Sequence, residues 1–221
     1  MDFERLPKPA AAGAADVRAA LGLEADELFV LQPVRMVPRK GVEHAVALLA
    51  RLERPARLII SHPSGDEGTA YEEHIRDLAR RLGVGIVWAA DRVTDAGAAD
   101  GRATFTLAEL YDAADLVTYT SLIEGFGNAY LEAVYHRRPV FLNRYPVYDL
   151  DIRPLGFRNL EMDGFLTGAD VAATRHLLDE PARIEEWSAT NYELGRRHFS
   201  YDVVRRGLRA ALAEIIGGSV I

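Results

Sequence analysis

Two clusters carry the residue types that chemistry would need. The first is Arg35-Met-Val-Pro-Arg39-Lys40-Gly41, three cations within six residues of an otherwise acidic chain. Such a run makes a local trap for an anion, against the plainer reading of a solvated basic loop. Lys8 and Lys40 are the only lysines, and a lysine among arginines can mark a need for a compact point charge, though chance explains it as well. The second cluster runs Glu124-Gly125-Phe126-Gly127-Asn128-Ala129-Tyr130-Leu131-Glu132. Its two glycines flank Phe126 where a strand must turn into a helix, and glycine permits positive φ and close approach of a ligand to the backbone. Asn128 reads as the helix N-cap, and the unpaired N–H groups behind it suit a phosphate. Glu132 lies roughly 6 Å further along the helix axis, its side chain leaning back toward the helix start. A carboxylate beside a phosphate needs neutral donors, and sugar hydroxyls supply them. The order carboxylate, glycine turn, amides, carboxylate therefore matches a hexose, a diphosphate and a ribose laid out in sequence.

Other motif readings are weaker. No Gly-Lys pair followed by Ser or Thr exists, so there is no P-loop, and Tyr130 stands where a dinucleotide fingerprint needs its third glycine. No Gly-x-Ser-x-Gly elbow is present. The six histidines (His44, His62, His74, His136, His176, His198) show no metal-ligand spacing and are expected to be structural or exposed. No metal and no cofactor is expected.

The elements that position these clusters follow from periodicity. Short runs rich in Val, Ile, Leu and aromatics read as strands near 29–35, 57–62, 84–90, 116–121 and 139–143. Between them, apolar residues at three- and four-residue steps predict helices near 42–53, 69–82, 107–114 and 128–137. Residues 94–104 read as a polar loop and 170–216 as all-helical. The alternation predicts an α/β fold, a single Rossmann-like, doubly wound parallel sheet with a helical C-terminus. Residues 1–15 read as a linker or tail, 16–216 as the nucleotide-sugar-binding domain and 217–221 as a flexible tail. In such a sheet, ligands bind outside the carboxyl ends of the strands. Both clusters lie at strand exits.

Composition agrees with a soluble globular domain: 49% apolar, 27% charged, net charge −7 over 221 residues. That balance argues against a nucleic-acid partner, which needs broad positive potential. No apolar run approaches the ~20 residues of a membrane helix, and the first residues lack a signal-peptide core. With no cysteine, thiolate chemistry is excluded, and a cytoplasmic setting is expected.

The stretch Ala114-Asp115-Leu116 … Ser121-Leu122-Ile123-Glu124-Gly-Phe-Gly … Leu131-Glu132-Ala133 … Pro139-Val140 resembles the signature of family 4 retaining glycosyltransferases of the GT-B architecture. In that family two glutamates separated by seven residues flank a Gly-Phe-Gly turn, as Glu124 and Glu132 do here. Arg35 … Arg39-Lys40-Gly41 resembles the family's Arg … Lys-Gly segment. The resemblance runs from about residue 26 to the end. It implies that Arg35 and Lys40 hold the donor diphosphate. Glu124, with Gly125, Phe126 and Gly127, would face the transferred hexose, mannose or glucose. Asn128 and Ala129 would offer backbone N–H groups to phosphate, and Glu132 would bind the ribose diol. Ala90-Asp91-Arg92 would lie against the base, by position only.

A GDP- or UDP-linked sugar is the implied partner. Only the family's C-terminal, donor-binding half is matched, so the chain is expected to be a fragment, or a subunit needing a separate acceptor domain. Asn143-Arg144-Tyr145-Pro146 … Asp151-Ile152 faintly resembles bacterial enzymes that make glycosylated glycerate solutes. A non-catalytic nucleotide-sugar module, a sugar-nucleotide epimerase-like or phosphorylase-like enzyme, and a purely structural module are the rival readings.

Overall fold

Six short strands form one parallel sheet in the order β3-β2-β1-β4-β5-β6. The computed structural model describes residues 1–5, 13–64, 68–94 and 103–217. Residues 6–12 of the expected linker, and most of the 94–104 loop and of the terminal tail, lie outside the described residues. The strands are β1 (Leu28–Gln32), β2 (Ala56–Ile60), β3 (Gly85–Trp88), β4 (Leu116–Tyr119), β5 (Val140–Asn143) and β6 (Leu160–Met162). Central β4 and β5 are buried throughout and β1 nearly so. That is the continuous apolar pattern of parallel strands covered on both faces. Outermost β3 is only half-buried, and the Arg76 guanidinium covers its Trp88 ring at 3.7 Å.

The helices are α1 (Ala14–Ala20), α2 (Val42–Arg51), α3 (Ala70–Leu82), α4 (Leu107–Ala113), α5 (Asn128–Tyr135), α6 (Gly168–Leu178), α7 (Pro181–Phe199) and α8 (Tyr201–Gly217). α2 packs on α3, α1 on α4, and α7 on both α5 and α6. From β1 the chain steps outward to β2 and β3, then returns to β4 on the other side of β1 and continues to β5 and β6. Right-handed crossovers in opposite directions place helices on opposite faces, so the α/β doubly wound expectation holds. The order reverses between β1 and β4, where Val30 pairs with Leu116 and Leu31 with Val117. A crevice opens at that switch point.

Three features depart from expectation. The first strand stops at Gln32, because Pro33 brings no N–H to extend the ladder. β6 was not foreseen: it is three residues long and follows an irregular stretch holding a π-turn at Tyr148–Ile152. Phe3, expected within a tail, is 1% exposed. It packs edge-on against Tyr135 and Tyr192, each at 5.5 Å.

Candidate functional site

The loops after β1 and β4 are bound backbone to backbone. Leu122 N donates to Arg39 O at 2.9 Å, and Thr120 Oγ1 donates to Lys40 O at 3.2 Å. Gly41, at φ 58°, sits so close that a Cβ there would lie 2.5 Å from Thr120 O. The loop after β4 is also tied to β5: Asn143 Nδ2 donates to Ser121 O at 3.0 Å and its Oδ1 accepts from Gly164 N at 2.9 Å. Buried Gln32 and Thr118, hydrogen-bonded to each other, fix the strand ends beneath.

Gly127 governs the turn into α5. Its φ is 102°, and a Cβ would lie 2.4 Å from Tyr145 Oη, whose hydroxyl donates to Phe126 O at 3.1 Å. Gly127 is the N-cap, with no side-chain cap, and Asn128 is the first helical residue rather than the expected cap. The left-handed backbone of Gly127 ends the turn one residue earlier than an asparagine cap would. The first N–H groups of α5 are therefore uncapped by any side chain, as an anion would require. Gly125 needs no positive φ, and a Cβ there would meet nothing within 4 Å.

These segments enclose an open concavity of about 370 Å³, lined by Arg35, Lys40, His62, Tyr119, Glu124 and the run Phe126, Gly127, Asn128 and Ala129. A larger concavity of about 550 Å³ lies at the opposite rim, against Arg54, Ala56 and Gly85. It is at the amino ends of β2 and β3, away from the rim where such sheets bind ligands. In the smaller one, Lys40 Nζ is paired with Glu124 Oε1, their side chains 11% and 10% exposed. Glu124 also accepts from Tyr119, and burial together with that carboxylate pushes the Tyr119 hydroxyl pKa up. Arg35 is exposed at the mouth.

Glu132 stands beside this concavity rather than in its wall. Its Oε2 accepts from Tyr111 Oη at 3.1 Å. Burial raises its carboxyl pKa against the opposing hydrogen bond from Tyr111. Tyr111 is held in turn by stacking on His136 at 5.2 Å, and His136 Nδ1 lies 2.8 Å from Asp112 Oδ1. Ala90, Asp91 and Arg92 form a 3₁₀ turn after β3 and do not line the concavity. Arg92 is committed to the scaffold: it donates to Ala20 O and Ala103 O, each at 2.9 Å, and covers the Phe105 ring. His62, which the sequence reading expected to be structural or exposed, lines the concavity. Its position at the end of the 57–62 strand run, a strand exit, was the available signal.

Mannosylglucosylglycerate synthase of Thermotoga maritima is 28% identical over 215 residues, covering 84% of this chain and 49% of that protein. The Petrotoga mobilis protein of the same name is 31% identical over 155 residues, covering 62% and 36%. The chain is related to glycosyltransferases. Its backbone matches the Anabaena HepE structure with UDP at TM-score 0.73 and 20% identity, over 97% of this chain and 56% of that one. That likeness shows the α/β fold, and the fold is consistent with the GT-B resemblance. No family model matches the chain. The chain spans about half or less of the length of these curated relatives. Among the described residues no helix is long and apolar enough to cross a membrane.

Proposed function

We propose that this chain is the donor-binding half of a retaining glycosyltransferase that moves mannose or glucose from a GDP- or UDP-linked sugar to a hydroxyl acceptor. The observation that carries the reading is the single concavity shared by Lys40, Arg35, Glu124 and the uncapped start of α5. The names of the two synthases favour a hexose on a glycerate-type acceptor, and HepE supports a nucleotide-linked donor.

In this scheme the diphosphate lies across Lys40 and the α5 N–H groups, with Arg35 closing from the mouth. As the sugar–oxygen bond breaks and the sugar becomes oxocarbenium-like, negative charge grows on the leaving phosphate. Fixed donors aimed at that charge stabilise it without reorganising. The leaving phosphate oxygen takes the acceptor proton on the same face. Glu124 orients the hexose and steers Lys40, while Glu132, braced by Tyr111, accepts from the ribose diol. Base recognition by Ala90, Asp91 and Arg92 receives no support from their placement, Arg92 above all. Acceptor binding and turnover are assigned to groups beyond these residues.

Calorimetry with UDP, GDP and ADP tests the reading. Binding of at least one nucleoside diphosphate is expected. A flat response to all three, on folded protein, would contradict it.

A further inference from the structure

Resting on the donor-site reading, we propose that His62 is a diphosphate-binding residue whose imidazole takes a proton from solvent as the ligand docks. His62 is two residues beyond the end of β2, the strand beside β1, and faces the same concavity as Lys40 and Glu124. Its loop is tied to the one after β1 by Met36 N donating to Pro63 O at 3.4 Å. His62 Nδ1 lies 2.8 Å from the Oγ of buried Ser61. One ring nitrogen is thereby engaged within its own segment, and Nε2 is the atom available to a ligand.

The charged surroundings explain why a proton would arrive with an anion and not before it. Burial first, then the Lys40 and Arg35 charges, hold the His62 pKa below the usual histidine value, which favours the neutral ring before an anion arrives. From the loop after β4, Glu124 is committed to Lys40, and Tyr119 at the end of β4 is an uncharged hydroxyl. From α3, Glu72 is taken by Ser64 and Arg76. A diphosphate reverses the sign of this field, raising the His62 pKa and turning both ring nitrogens into donors. Affinity should therefore rise as pH falls through the histidine range.

The test uses UDP-glucose and GDP-mannose, whose doubly esterified diphosphates exchange no proton near neutrality. Calorimetry of the chain in buffers of differing ionisation enthalpy should show uptake of a fraction of a proton. Affinity should rise several-fold from about pH 8 to about pH 6. His62→Gln should keep binding within about tenfold yet lose both the uptake and the pH dependence. NMR titration of the wild-type imidazole, independent of any variant, should show its pKa higher in the saturated protein. Uptake persisting in H62Q, binding without uptake, or an imidazole pKa unmoved by ligand would each overturn the role of His62 and leave the donor site standing. Failure of both sugar nucleotides to bind would overturn the donor site itself, and this inference with it.

Discussion

Lys40 and Glu124 neutralise each other in a nearly dry setting, so a ligand's phosphate must compete with Glu124 for the ammonium. Lys40→Met should lower stability by about 3 kcal/mol, because Glu124 is left buried and unpaired, and should weaken nucleotide binding by about tenfold or more. Glu124→Gln frees the ammonium, so UDP should bind at least as tightly as to wild type. Isothermal titration of both variants checks this, and a large affinity loss in E124Q would make Glu124 a nucleotide ligand instead. Glu132 behaves differently. Glu132→Ala should cost about 1.5–3 kcal/mol of nucleotide affinity, the scale of hydrogen bonds to a charged group. Its carboxyl pKa is raised above 4.5 in the fold, so the folded chain holds that proton more tightly than the unfolded one. Stability from this group is present at low pH and lost as pH rises through the folded value. Glu132→Gln should accordingly gain stability relative to wild type as pH climbs from about 4 to about 7. Thermal melts along that series would show parallel curves if the shift were absent.

At the scale of elements, the two glycines of the β4–α5 turn should separate cleanly. Gly127→Ala forces a Cβ onto Tyr145 Oη at a φ of 102°. It should lower stability by about 1–3 kcal/mol for the strained backbone alone and abolish binding. Gly125→Ala meets open space and should fold like wild type. Equal melting temperatures for the two variants would contradict the turn geometry. That Gly127 is indispensable was legible in part, since a strand must turn into a helix there; that Gly125 is dispensable for folding was not, because backbone torsion has no sequence mark. The five short apolar runs revealed five of the six strands. β6 escaped because three residues carry no period, and the 84–90 run ended early, at Trp88. Arg92 was assigned by position alone, and its partners, 11 and 72 residues away, exist only in the fold.

Over the whole molecule, the first residues clasp the last third of the chain. A Cβ at Gly195 would lie 2.7 Å from the Phe3 ring, and Tyr192 Oη donates to Phe3 O at 3.1 Å. Phe3→Ala should cost about 3–5 kcal/mol, the usual range for emptying a buried aromatic site. Chemical denaturation checks it, and a change below about 1 kcal/mol would mean that the clasp is ornamental. No local pattern in residues 1–5 announces this contact, because its partners lie some 190 positions away. The parallel, doubly wound sheet, by contrast, follows from strand–helix alternation, and its strand order brings a basic and an acidic cluster 84 residues apart into one ion pair. The structure of the chain crystallised with excess nucleoside diphosphate tests this most directly. The diphosphate should lie about 2.7–3.2 Å from Lys40 Nζ and from the Asn128 and Ala129 N–H groups. Density for it at any other rim of the sheet would contradict the account.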